Sequence, residues 1–233
     1  MTVHSILPRL TQPAVVIVFP EEGVLRSRRV VSRSRSRPTG KYPSWKMARM
    51  VQWESHNELN AYRLLDASPE VRAFHEQPAE IRYVLDGEEH RHYPDTLVEF
   101  KDHQEFWEIK PKREALSPDV VKRTELLTDA LIAKGYSYRV AFAEDLAREP
   151  RLSNALDILK FGRWPIDPTE RERLRVQFSR DGELGWNNVV GDSTTRKAVC
   201  RLLLEGALAI DMDQPLGPET AVRPANRQCW IGG

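Results

Sequence analysis

The sequence predicts an α/β sandwich core followed by a small helical unit that ends in a β-hairpin. Two observations predict it. Between residues 54 and 142 the apolar periodicity runs helix, three β segments, helix, strand, an order that builds a two-layer α/β core. Around Glu149–Arg151 the pattern changes to three short helices and a hairpin.

The first helix is read from Glu54 to about Asp66, where Leu59, Tyr62 and Leu65 recur every three residues and Glu58 lies one position off that stripe. Ala79–Leu85 alternates, with Ile81, Tyr83 and Leu85 on one face, and Asp86-Gly87 is a turn signal. His92–Phe100 and Glu105–Lys110 are the next two strands, separated by a polar turn at Lys101–Gln104. Ser117 is a natural N-cap with Pro118 at the first helical position, and Gly135 closes that helix. Tyr136–Phe142 then returns as a fourth strand beside the third.

In the second unit Ser153–Phe161 reads as a short helix. Asp167-Pro168-Thr169-Glu170 is a capping box that opens another, and Ser193–Glu205 is a third, closed by Gly206. Ala207–Asp211, a turn at Asp213-Gln214-Pro215 and Thr220–Arg223 form the hairpin, which completes the outline of a winged helix. The chain thus divides into a basic, loosely ordered arm over 1–40, a core domain over 41–148, and a winged-helix-like domain over 149–233.

With 40% hydrophobic and 30% charged residues the composition is that of an ordinary globular protein. No apolar run is long enough to cross a membrane, and the six apolar residues Ala14–Phe19 lack the basic leader of a signal peptide. Cys200 and Cys229 lie far apart without metal-ligand spacing, which suits a reducing cytoplasm.

Net charge is only +1, but its distribution is uneven. Residues 26–50 hold nine Lys/Arg and no Asp or Glu, which leaves 26 basic against 34 acidic residues elsewhere. Such a one-sign block fits either a phosphate-contacting arm or a solubilising tail. On the first reading Arg28, Arg29, Arg33, Arg35, Arg37 and Lys41 meet DNA. Lys41-Tyr-Pro-Ser-Trp45 is read as an ordered loop packed onto the core domain.

The chemistry-bearing residues are Asp95, near the start of one strand, and Glu108 and Lys110, at the end of the next. Residues two apart in a strand share a face, so Glu108 and Lys110 point the same way, and pairing of the two strands brings Asp95 beside them. Converging carboxylates are costly without a cation. Oxygen ligands favour Mg²⁺, which keeps several waters and binds phosphate oxygens, and Mn²⁺ can substitute for it. Glu58 on the preceding helix completes the metal shell, and Lys110 steadies the attacking water or the charge that develops on phosphorus. His90 and His92, two apart on one strand, are read as solvent-facing rather than as a metal pair. Trp107 is read as core on the opposite strand face from Glu108. Gln77 either contacts DNA or the metal-bound water, or organises a buried loop.

Four segments in order carry a resemblance: Glu54-Ser55-His56-Asn57-Glu58, Val71-Arg72-Ala73-Phe74-His75-Glu76-Gln77-Pro78, Tyr93-Pro94-Asp95 and Glu108-Ile109-Lys110-Pro111. Together they resemble the TnsA family, the restriction-endonuclease-like subunits of heteromeric cut-and-paste transposases. The resemblance spans roughly Lys41 to Arg148 and continues more weakly beyond it. It implies a restriction-endonuclease-like core of order α-βββ-α-β followed by a small winged-helix domain. It implies a helix carboxylate at Glu58, a central metal ligand at Asp95, a second ligand at Glu108, where the family also uses Gln, and a catalytic lysine at Lys110. Glu54 is the rival to Glu58, which is preferred for its distance from Glu76-Gln77; Glu54 is then read as capping the helix start. Asn57 stands where the family residue is usually apolar. The expected activity is cleavage of the 5′ strands at transposon ends in the bacterial cytoplasm, and the expected partners are double-stranded DNA, an integrase-like transposase subunit and an AAA+ regulator. Alternatives are a stand-alone nuclease of the same fold, of Holliday-junction resolvase or restriction type, and an inactive DNA-binding scaffold.

Overall fold

The computed structural model describes residues 15–27 and 38–225. In chain order the first elements are β1 (Val16–Val18), β2 (Gly40–Ser44), β3 (Arg49–Trp53), α1 (His56–Ala67), β4 (Val71–Glu76), β5 (Glu80–Leu85) and β6 (Glu88–His92). They are followed by β7 (Thr96–Phe100), β8 (Gln104–Lys110), α2 (Lys112–Ala115), α3 (Pro118–Ile132), β9 (Ser137–Phe142) and α4 (Ala143–Leu146). The remainder comprises α5 (Arg151–Gly162), α6 (Pro168–Asp181), β10 (Leu184–Gly185), α7 (Trp186–Val189), α8 (Ser193–Leu204), β11 (Leu208–Ala209) and β12 (Ala221–Pro224).

The centre is a four-stranded sheet in the order β4-β7-β8-β9. β7 runs antiparallel to both β4 and β8, and β9 lies parallel to β8 after the crossover through α3. Alternation along β8 assigns its two faces. Trp107 and Ile109 join Tyr62 and Leu65 of α1 in one apolar cluster, together with Phe74 and Val98. Phe106 joins Leu127 and Leu131 of α3 in the other, with Tyr138 and with Ile81 and Tyr83 of β5. Glu108 and Lys110 share the register of Phe106, so they lie on the α3 side at the carboxyl end of the strand. Trp107 is buried on the opposite face, as its position in the sequence suggests.

Several elements differ from the sequence reading. Val71–Glu76 is a strand of the central sheet that the periodicity does not announce; a register shift between Val71 and Ala73 breaks the alternation that would mark it. The expected strand His92–Phe100 is β7 only from Thr96, since Tyr93-Pro94-Asp95 is irregular and His92 ends a further strand, β6, that the sequence reading does not include. β5 and β6 form a hairpin through Asp86 (φ 54°) and Gly87 (φ 84°), a pair of positive-φ residues suited to a two-residue turn. That hairpin stands apart from the central sheet and pairs with β1. Part of the expected loose arm is therefore folded: Val15 is buried and Val16–Val18 pair with β5. The segment Lys41–Trp45 is not a loop but largely the first strand of the β2–β3 hairpin. Helix α1 starts at His56 rather than Glu54, and its N-cap is Ser55, whose side chain accepts from the Glu58 N–H.

The β2–β3 hairpin is fastened to α1 by one carboxylate. Asp66 is fully buried and accepts from Tyr42 Oη (2.7 Å), Ser44 Oγ (2.6 Å), the Trp45 N–H (3.2 Å) and the Lys46 N–H (3.1 Å). Lys46 Nζ in turn donates to the Ser68 carbonyl at 2.6 Å and to that of Val71.

In the C-terminal part, α5, α6 and α8 enclose a separate apolar cluster that includes Leu159, Leu174, Phe178, Val199, Leu202 and Val222. Gly162 stands where α5 meets α8; a Cβ there would come within 2.8 Å of the Cys200 carbonyl group, which only glycine avoids. Beside the helices lies an antiparallel sheet in the order β10-β12-β11. The expected hairpin thus pairs as read, and β10 adds a third strand. Among the described residues no helix is long and apolar enough to cross a membrane.

The Asp66 cluster yields a stability prediction. Asp66→Ala removes the acceptor for two buried and two part-buried donors and should cost about 3–5 kcal/mol. Urea unfolding of the two proteins measures it, and a loss below ~1 kcal/mol would mean that the hairpin is held by its apolar contacts instead.

Candidate active site

Asp95 lies just before β7. β7 and β8 pair with Thr96 opposite Trp107, and one step further in that register sets Asp95 opposite Glu108. The Asp95 carboxylate accepts from the Ile109 N–H through Oδ2 at 2.6 Å, so the side chain is pinned to the stretch between Glu108 and Lys110. Its own carbonyl accepts from the Gln77 N–H at 3.0 Å, which fixes the backbone from the other side. Burial pushes the Asp95 carboxyl well above the usual carboxylate range, and the charges of Glu108 and Glu58 push it further; Ile109 and Lys110 pull in the other direction. Glu58, Asp95, Glu108 and Lys110, drawn from α1, β8 and the loop that leads into β7, therefore act on one another electrostatically.

Glu108 is 5% exposed. Its Oε1 contacts Lys110 Nζ at 2.9 Å and an Arg123 terminal nitrogen at 3.4 Å, and its Oε2 lies 3.4 Å from His92 Nε2. Burial disfavours the Lys110 ammonium, but Glu108 and Asp95 outweigh it and hold the lysine above its ordinary pKa, so it stays charged. Burial pushes His92 down from 6.5 to about 4 despite Glu108, so the ring is neutral near neutral pH and faces the Tyr138 hydroxyl at 2.9 Å. His92 is thus buried against Glu108 rather than solvent-facing, a correction to the sequence reading. His90 stacks on Tyr83.

Glu58 is buried at the start of α1. Its Oε2 accepts from the Glu54 N–H at 2.9 Å and its Oε1 from Ser55 Oγ at 3.1 Å, a reciprocal cap built from Ser55-x-x-Glu58. Capping accordingly falls to Ser55 and Glu58, not to Glu54 as expected. The Glu58 charge nevertheless acts on Asp95 and helps to raise that carboxyl.

Gln77 adopts φ 47° and is buried. Its backbone bridges Ser27, whose N–H it accepts at 2.9 Å, and Asp95. The loop is thus organised through the Gln77 main chain. Its side-chain oxygen is buried and has no partner among the described residues.

Within the basic block, three cations are engaged by the fold. Glu76 is 1% exposed and takes Arg49 at 2.8 and 2.6 Å and Arg26 at 2.9 Å. Burial opposes its charge, yet these arginines outweigh it and hold the carboxyl below the usual range. Lys46 is bound to main-chain carbonyls. Lys41 is exposed on β2. Arg28, Arg29, Arg33, Arg35 and Arg37 lie outside the described residues.

Residues 68–140 match the family model of the TnsA-like endonuclease N-terminal domain. Over that stretch the chain is similar to TnsA-like endonucleases. The matched stretch contains Asp95, Glu108 and Lys110, and Glu58 lies before it. A search of curated proteins gives no match.

The donor set of this TnsA-like domain is chemically suited to a hard cation: three carboxylates, no thiolate, and a neutral imidazole beside Glu108. As the side chains stand, Glu58 is turned to the helix start, Asp95 Oδ2 to Ile109 and Glu108 Oε1 to two cations. Among the described residues no three metal-binding side chains are gathered as a preformed cage.

Sequence reasoning missed Arg123. The signal was present, because Arg123 shares a helical stripe with Leu127 and Leu131, both fully buried, and a charge on a buried stripe needs a partner.

A pH prediction comes from Asp95. A carboxyl raised in the folded state keeps a proton that the unfolded chain has released, so stability declines as pH climbs through and above the ordinary carboxylate range. His92 has the opposite sign: depressed to about 4, it costs stability as pH falls below 6.5. The difference between wild type and Asp95→Asn isolates the first effect, since Asn can still accept from Ile109. Asp95→Asn should be more stable by ~1 kcal/mol or more at neutral pH, and the gap should close in acid. Thermal melting across pH checks this; a gap that is absent or independent of pH removes the raised carboxyl.

Proposed function

We propose that this chain is the endonuclease subunit of a heteromeric cut-and-paste transposase and hydrolyses the 5′ strands at transposon ends. The observation that carries the reading is Asp95 set opposite Glu108 and bonded to the Ile109 N–H, with Lys110 held to Glu108, inside the stretch that matches the TnsA-like endonuclease model. Mg²⁺, with Mn²⁺ as substitute, would be held by Asp95, Glu108 and Glu58 and would supply Lewis acidity and an activated water. The chain's own residues do the rest. Asp95, pinned by Ile109 and Gln77, sets the position of the reacting phosphate against Glu108. The Lys110 ammonium, kept charged by its carboxylate neighbours, stabilises the negative charge that builds on the phosphorane oxygens. Glu58 couples the site to the start of α1, so the site is completed only when that helix is capped.

The boundary of the nuclease domain falls near Glu149, and the C-terminal part is a winged helix. The order α6, β10, α7, α8, β11, β12 with sheet order β10-β12-β11 supports this. Its arginines are largely neutralised locally, Arg173 by Glu170, Arg175 by Glu172 and Arg180 by Asp181. That pairing favours a surface for the integrase-like transposase subunit over one for duplex phosphates, with an AAA+ regulator as the further partner.

A strand-resolved cleavage assay in Mg²⁺, with the transposase subunit present or omitted, tests the whole reading. Asp95→Ala and Glu58→Ala should abolish 5′-strand cuts, whereas Glu54→Ala should retain them. Lys110→Ala should cut ~10²-fold more slowly. Efficient site-specific cutting without the transposase subunit would replace this reading with a stand-alone nuclease, and wild-type cutting by Asp95→Ala would end it.

A further inference from the structure

Arg123 is the one cation touching Glu108 that has no part in the proposed hydrolysis. It projects from α3 with a side chain 19% exposed, and a terminal nitrogen sits 3.4 Å from Glu108 Oε1. Lys110 already holds that same oxygen at 2.9 Å. The Tyr83 and Tyr138 hydroxyls also accept from the guanidinium, as neutral partners. Its Nε is buried and has no acceptor among the described residues. Arg123 is therefore held without a strong partner of its own: its contact with Glu108 is long for a charge-assisted hydrogen bond, that oxygen is shared with Lys110, the phenols are neutral, and the Nε–H is unused. A guanidinium offers a planar fork of donors that suits a phosphate better than a shared carboxylate oxygen.

We propose that Arg123 is a phosphate-binding residue of the site, resting on Glu108 until a divalent cation takes that carboxylate and then turning to the scissile phosphate. The inference rests on the metal-nuclease reading and adds a fifth residue to it. The competing role is purely positional, with Arg123 holding Glu108 in place for the cation. The two roles differ in what cation binding alone does. If Arg123 competes with the cation for Glu108, removing it leaves cation affinity unchanged or tighter. If it positions Glu108, removing it weakens cation affinity.

The test uses the full chain as wild type, Arg123→Met, Arg123→Lys and Asp95→Asn. Mn²⁺ affinity without DNA is measured by calorimetry. Binding of a short fluorescein-labelled duplex is measured by anisotropy over a KCl series, in Ca²⁺ and in EDTA. In Ca²⁺, Arg123→Met should bind the duplex about tenfold more weakly, the scale of one charged hydrogen bond. Its slope of log affinity against log salt should be smaller by about 0.9, one phosphate contact. In EDTA it should match wild type, and its Mn²⁺ affinity should not fall. Arg123→Lys should keep the wild-type slope at intermediate affinity, and it carries the test if Arg123→Met does not melt cooperatively. An unchanged Ca²⁺ slope for Arg123→Met, or weakened Mn²⁺ binding by whichever variant carries the test, overturns the proposal. Undiminished Mn²⁺ binding by Asp95→Asn would instead overturn the metal reading beneath it.

Discussion

The hydrogen bond from the Ile109 N–H to Asp95 Oδ2, 2.6 Å long, constrains the site more than any other contact. It joins the residue before β7 to the end of β8 at the one main-chain position flanked by Glu108 and Lys110. The carboxylate cannot retreat from its two like-charged neighbours without giving up this bond in a part-buried setting, where an unmade hydrogen bond is costly. Gln77 closes the other route, because its N–H holds the Asp95 carbonyl and its positive φ turns the chain so that the contact can form. The sheet thus imposes a repulsion that a freely moving side chain would relieve. That repulsion is stored where an incoming cation could discharge it.

Buried carboxylates elsewhere in the chain show what a structural solution looks like. Asp66 is met by four donors and Glu76 by two arginines and a main-chain N–H. Glu76 is accordingly held below the usual carboxylate range, while Asp95 is driven above it. Burial opposes the charge of both; at Glu76 two arginines outweigh it, whereas at Asp95 the charges of Glu108 and Glu58 add to it. An arrangement that leaves a carboxyl short of compensating charge is poor for stability, and such sites cluster where function requires them. On this ground Glu76 and Asp66 belong to the scaffold. Arg26 and Arg49, although part of the basic block, are scaffold as well.

Legibility in the sequence tracks how local each signal is. The α1 stripe of Leu59, Tyr62 and Leu65, the Ser117-Pro118 start of α3 and the Glu108-x-Lys110 alternation all depend on neighbours within a turn or a strand, and each stands as read. β4 is hidden by its bulge, which interrupts the period-2 pattern between Val71 and Ala73. β1 is hidden because its partner, β5, lies more than sixty residues downstream, where no local pattern can announce it. β6 is hidden because Glu88–His92 is polar throughout, and Pro94 separates it from β7. His92 looks exposed because the rest of β6 is polar; its burial depends on Tyr138 and Glu108, which reach it from other strands. Arg123 needs the helix stripe to be read for its exception rather than its rule.

Charge pairing limits how firmly the chain can hold DNA. In the basic block Arg26, Arg49 and Lys46 are consumed by the fold. In the C-terminal part Arg148 and Arg151 meet Asp213, and Arg171 and Arg201 meet Glu205. These pairs add to the local ones along α6, so cations free to exchange counterions for phosphates are fewer than the total of 35 Lys/Arg implies. Non-specific affinity for duplex DNA scales with the number of phosphates neutralised. Among the described residues most cations are committed to the chain's own carboxylates, which leaves that part of the protein little grip with which to search a genome alone. On the proposed reading this is a consistent design: the active site is carried by this chain, and selection of the DNA end is left to a partner that binds it.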